Sequence, residues 1–167
     1  MTSSGGGERQ LPREIAQRLR DLRLHWETLE WAVAQIGDAF PRDAFIAAAT
    51  SADAAQRATV FAVERGFEVL VNTMDQLAQA ALVHVGVRAP EEELSAGAAY
   101  RDLVREGAIS GGRCERLIEL NRTRNDLQHD YPIVRPDRLY DAVTVLRAEF
   151  GPFVRAYARW FRERRPD

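Results

Sequence analysis

The sequence predicts an all-α fold, a single bundle of about five helices. Apolar residues recur at steps of three and four over long stretches. Strand-type alternation and hairpin turns such as Asn-Gly are absent, and Val/Ile content is modest. The periodic stretches are separated by glycine, proline and helix-capping residues.

Residues 1–10 (MTSSGGGERQ) are small, Gly-rich and polar, and are expected to form a disordered leader. Residues 11–165 are expected to form one domain. From Leu11, the residues Ile15, Leu19, Leu22, Trp26, Leu29, Val33 and Ile36 line one stripe, and Gly37 and Pro41 end that helix. Residues 43–49 are read as a short helical turn. Ser51 or Asp53 caps a second long helix running to about Val85, before Gly86. Its buried face is Phe67, Leu70, Val71, Met74, Leu77, Ala81 and Val85.

A polar connection over 88–96 leads to a shorter helix over roughly 97–106, stopped by Gly107. Ser110 precedes a helix over about 111–129, with Pro132 as the downstream breaker. The last helix starts near Pro136-Asp137 and runs to about Arg164. The Gly151-Pro152 pair is expected to kink or interrupt it, because proline removes one backbone hydrogen bond and crowds the preceding turn.

Composition narrows the function classes. The chain has 167 residues, 46% hydrophobic and 29% charged, the balance of a globular protein rather than a membrane or fibrous one. It holds no uninterrupted apolar run long enough for a membrane span and no signal-peptide pattern, so a cytoplasmic location is expected. Cys114 is the only cysteine, which excludes an intrachain disulfide and a cysteine-based zinc site. The net charge of -2 means that any nucleic-acid contact must come from a local patch. Every basic residue besides histidine is arginine, a planar fork suited to phosphate and carboxylate.

The helix over 111–131 carries the chemistry. Leu117, Leu120, Leu127 and Tyr131 share one face, and Arg124 falls on it between two leucines. A guanidinium in an apolar stripe is destabilising unless it is paired or reaches water. Beside it Cys114, Ile118, Asn121, Asn125 and His129 form a mixed line. Polar residues that interrupt a packing face mark places where function is expected. Two plainer readings stand beside this one: Arg124 pairs with Asp126, Glu119 or the rim, and His129 simply caps the helix C-terminus.

The string Arg124-Asn-Asp-Leu-Gln-His129-Asp-Tyr131 is an R-x4-H-x-Y pattern, and it resembles the signature of HepT-type toxins in the HEPN superfamily. The likeness extends over roughly residues 55–134, from VFAVERGFEVLVNTMDQLAQAAL to AYRDLVREGAISGGRCERLIELNRTRNDLQHDY. What the resemblance implies is a HEPN-like bundle and a metal-independent endoribonuclease toxin that needs no cofactor and works as a homodimer on RNA. It implies Arg124 and His129 as catalytic residues, with Asn125 and Asp130 as supporting polar residues. It further implies Tyr131 as the site at which a nucleotidyltransferase antitoxin of the MntA type attaches AMP. Pro132, directly after Tyr131, is a variation on the pattern.

These residue types suit metal-free RNA cleavage. A base must take the 2′-hydroxyl proton, an acid must protonate the leaving 5′-oxygen, and positive charge must face the crowded phosphorane. Histidine, with an ordinary pKa of about 6.5, serves as base or acid, and arginine supplies a permanent cation. The expected products are a 2′,3′-cyclic phosphate and a 5′-hydroxyl.

On a regular helix Arg124 and His129 sit roughly 140° apart around the axis. They therefore meet by unwinding near 129–131 or across a two-fold dimer. Two alternatives to a nuclease are a HEPN-like module that binds RNA or nucleotide without cutting it, and a helical dimerisation subunit. The C-terminal RAYARWFRERR reads first as a core stripe with a solvated arginine face, and second as an RNA contact.

Overall fold

A computed structural model describes residues 11–90, 92, 95–129 and 135–164, and of Ala96 and His129 the backbone alone. Among the described residues six helices form an all-α bundle without strands: α1 (Arg13–Ala34), α2 (Arg42–Ala49), α3 (Ala54–His84), α4 (Ala96–Arg105), α5 (Gly111–His129) and α6 (Pro136–Arg164). None of them is long and apolar enough to cross a membrane.

The helix ends follow local chemistry. Asp53 caps α3 by accepting from the Ala55 amide at 2.8 Å, and Ser95 caps α4 by accepting from Ala98. Ser110 accepts from the Arg113 amide at the start of α5. Gly86 and Gly107, with φ of +75° and +72°, turn the chain after α3 and α4, a conformation that glycine adopts without penalty.

α3 is the central helix, packed against all five others. Its Phe67, Leu70, Met74 and Leu77 are buried against Leu22 and Leu29 of α1, Tyr100 and Leu103 of α4, Leu117 and Leu120 of α5, and Phe153 and Tyr157 of α6 in one core cluster. α1 and α6 are bridged by long side chains: Trp26 stacks on Phe150 with centroids 4.1 Å apart, and Arg147 forks onto Glu30 at 2.7 and 3.1 Å. Glu149 of α6 receives Arg113 and Arg116 of α5 at 2.8 and 2.6 Å, which fixes the face on which α5 meets α6.

The structure departs from the sequence reading at two places and decides between alternatives at a third. Residues 42–49 are a full helix, α2, because Phe45 is completely buried beside Phe40 and Tyr140 and anchors it. α1 begins at Arg13 rather than Leu11, since Pro12 takes the capping position. Of the two outcomes expected at Gly151-Pro152, a kink or an interruption, the interruption does not occur, and α6 is helical from Pro136 to Arg164. It is pinned before the proline by Glu149 and Phe150 and after it by the buried Phe153 and Tyr157, so tertiary packing outweighs the lost backbone bond.

Candidate active site

α5 carries the R-x4-H segment across α3 and ends at His129. On its inner face Leu117 and Leu120 are buried at 1% and 3% exposure, and Arg124 continues that line one turn later, half-buried. The guanidinium is therefore held at the rim of the core rather than free in solvent. Its Nη1 donates to Asn72 Oδ1 of α3 at 3.0 Å, and its Nε and Nη2 donate to Asn125 Oδ1 at 3.2 and 2.7 Å. Both acceptors are side-chain amide oxygens, which orient the fork without neutralising its charge.

The carboxylates nearest in sequence are engaged elsewhere. Glu119 pairs with Arg122, and Asp126 pairs with Arg138 at the start of α6. The plainer reading, in which Arg124 exists to pair with one of those two, is therefore not what the geometry shows. The Asp126–Arg138 pair instead ties together the two ends of the segment that carries the rest of the motif.

Beneath Arg124 lies a polar layer that the sequence reading missed. Asn72, Asp75 and Gln79 follow one another along one face of α3. Asp75 is buried, and its Oδ2 accepts from Gln79 Nε2 at 3.0 Å. Burial pushes its carboxyl up to about 6, against the pull of Arg124 and of the Gln79 hydrogen bond. Asn121 of α5 and Tyr100 of α4 are buried alongside. Burial and then the Asp75 charge push the Tyr100 phenol far above its ordinary value, with Asn121 and Arg124 pulling the other way. The signal for Asp75 was available: an acidic residue between Met74 and Leu77 interrupts an apolar stripe as Arg124 does.

Among the motif residues, the structure brings Arg124 and Asn125 together and places the backbone of His129 at the last position of α5. The helix is continuous to that point, so the Cα of His129 lies about 140° around the axis from that of Arg124. Asp130 and Tyr131 lie outside the described residues. Among the described residues no three His, Cys, Asp or Glu side chains gather into a cluster of metal-binding size. At the C-terminal stretch, Tyr157, Trp160 and Phe161 are buried while Arg155, Arg159 and Arg162 are exposed. The aromatic side chains belong to the core there and offer no surface on which a base could stack.

No curated protein and no solved structure matches the chain. A family profile described as "Ribonuclease HepT-like" matches residues 29–157, from the last third of α1 to the last third of α6. With the match spanning most of the chain and including the whole of α5 and its motif, the protein belongs to the HepT-like ribonuclease family.

Proposed function

We propose that the protein is a metal-independent endoribonuclease toxin whose active site is built on Arg124 and His129. The observation that carries this reading is Arg124: a half-buried cation, oriented by neutral amides and in contact with no carboxylate among the described residues, on the helix that ends at His129. A purely structural arginine in that position gains most from a carboxylate. One that must meet a phosphodiester needs its charge unspent and its fork aimed.

In the proposed reaction the 2′-hydroxyl oxygen attacks the adjacent phosphorus, the P–O5′ bond breaks, and a 2′,3′-cyclic phosphate and a 5′-hydroxyl result. The His129 imidazole moves the protons and Arg124 faces the charge that builds on the non-bridging oxygens. Two copies of the chain form the active species, which brings a second Arg124 and His129 to the same cleft. Asn125 holds Arg124 in place and Asp130 supports the motif. Tyr131 is the acceptor at which a nucleotidyltransferase antitoxin of the MntA type transfers AMP from ATP, with pyrophosphate leaving, to silence the toxin in the cytoplasm.

The test is RNA cleavage by purified protein with and without chelator, and growth inhibition on expression. Arg124→Ala and His129→Ala are each expected to abolish both, with unchanged circular dichroism and with cleavage by the wild type unaffected by chelator. Full cleavage by either variant overturns the assignment. Tight RNA binding by a wild-type protein that does not cleave supports a binding module in its place. Intact mass after co-expression with a candidate antitoxin reads the modification of Tyr131.

A further inference from the structure

The proposed reaction makes no use of the carboxylate that lies under its arginine. Asp75 is 7% exposed and sits one turn from Asn72, the α3 residue to which Arg124 donates. Its Oδ1 is buried with no hydrogen-bond partner among the described residues, and so is Oδ1 of the neighbouring Asn121. Burying a carboxylate with one oxygen unmet is destabilising, and an apolar residue of similar size would fill that space without the penalty. Such a group is retained where its charge has work to do outside its own contacts.

We propose that Asp75 is a positioning residue for Arg124: its buried charge draws the guanidinium onto α3 and holds the fork in the orientation that meets a phosphate. The proposal rests on the ribonuclease reading above. Arg124 gives its hydrogen bonds to Asn72 and Asn125, so Asp75 acts on it through charge and not through a shared proton. The attraction is mutual by linkage, since Arg124 lowers the pKa of Asp75. Without that charge the long arginine stem is free to extend toward water.

The surroundings make the effect testable by pH. Among the described residues, Arg124 of α5 acts on Asp75, and Asp75 in turn acts with Arg124 and the buried Cys114 of α5 on Tyr100 of α4. On the α1 and α6 sides Arg18 is bound to Gln76 and Tyr157 to the Leu77 carbonyl. Burial leaves the Asp75 carboxyl at about 6, so the tethering charge is switched on between mildly acidic and neutral pH.

The first measurement needs no activity. The Nε–H resonance of Arg124, assigned by its loss in Arg124→Lys, is followed by NMR from pH 5 to 8 in a His129→Gln background that removes the imidazole of the motif. It is expected to shift with a midpoint near 6 and to stay flat when Asp75→Asn is added. A shift unchanged by Asp75→Asn, or no shift in either protein, overturns the proposal.

The second is kinetic. Asp75→Asn is expected to lower kcat about 10- to 100-fold at pH 8 with little change in KM. At pH 5, where the wild-type carboxyl is itself protonated, the two rates should converge. Equal rates at pH 8, or a deficit of the same size at both pH values, overturns it. If Asp75→Asn does not fold, Asp75→Ser carries both measurements. Should the wild type cleave no RNA at all, the ribonuclease reading falls, while the resonance still decides whether Asp75 governs Arg124.

Discussion

Glu149 and Asp75 are both carboxylates in a helical interior, and their surroundings push them in opposite directions. For Glu149 burial raises the pKa, and hydrogen bonds from Arg113 and Arg116 more than reverse this, leaving it below the ordinary carboxylate value. A group depressed in this way contributes stability that is present above its unfolded pKa and is lost as pH falls through the folded one. For Asp75 burial wins, and the carboxyl rises from 3.8 to about 6. There the sign inverts: the native state holds the proton more tightly, so stability falls as pH rises from about 4 to about 6 and then stays level. Glu149→Gln is therefore expected to destabilise the protein at pH 7 by about 1–3 kcal/mol, with the deficit shrinking below pH 4. Asp75→Asn is expected to gain on the wild type as pH rises, by up to about 3 kcal/mol between pH 4 and 7. Urea denaturation of the three proteins across that range checks both. A constant gap for either variant means that the carboxylate does not titrate as its environment dictates.

At the scale of helices, the bundle depends on one close crossing. A Cβ on Gly66 of α3 would stand 3.2 Å from Leu29 Cδ1 and 3.3 Å from Leu29 Cα, so α1 and α3 approach there as closely as side chains permit. Gly66→Leu is expected to cost about 2 kcal/mol or more by forcing the helices apart, seen as a lower urea midpoint. Gly66→Ala should be far milder, because a gain of about 1 kcal/mol in helix propensity offsets the crowding. An unchanged midpoint for Gly66→Leu would mean that the crossing is loose. The long helices were legible in the sequence because periodicity, caps and glycine stops agree along each of them. α2 was under-read, since eight residues show little more than two turns of pattern and Phe45 owes its anchorage to Tyr140, far away in the chain. The choice between a kink and an interruption at Pro152 was open for the same reason in reverse: the packing from α1 and α5 that keeps α6 continuous lies outside any local window. The site divides in the same way. Arg124 announced itself as a cation on an apolar stripe, whereas its hydrogen-bond partner Asn72 and the buried Asp75 are polar residues on another helix. Their meeting with Arg124 exists only once α3 and α5 pack.

At the scale of the whole molecule, the geometry of α5 bears on how many chains make one active site. The helix is regular through His129, so the Cα positions of Arg124 and His129 diverge by about 140° within one chain. Under the proposed dimer the shared cleft holds two Arg124–His129 pairs related by the two-fold axis, and where each pair joins the arginine of one subunit to the histidine of its partner, each pair acts as one site. This arrangement predicts complementation between two dead proteins. In a mixed dimer of Arg124→Ala and His129→Ala chains, one site inherits both substitutions and the other inherits neither. Random reassortment of equal amounts makes half of the dimers mixed, so roughly a quarter of wild-type cleavage should return. Each variant alone should remain inactive. If Arg124 and His129 instead act within one chain, every site in the mixed dimer is broken and no activity returns at any ratio. Co-expression with two different affinity tags, tandem purification of the mixed species and an RNA cleavage assay distinguish the outcomes. In the purified mixed dimer half of the sites are intact, and cleavage at about half the wild-type rate is the result that places the chemistry across the interface.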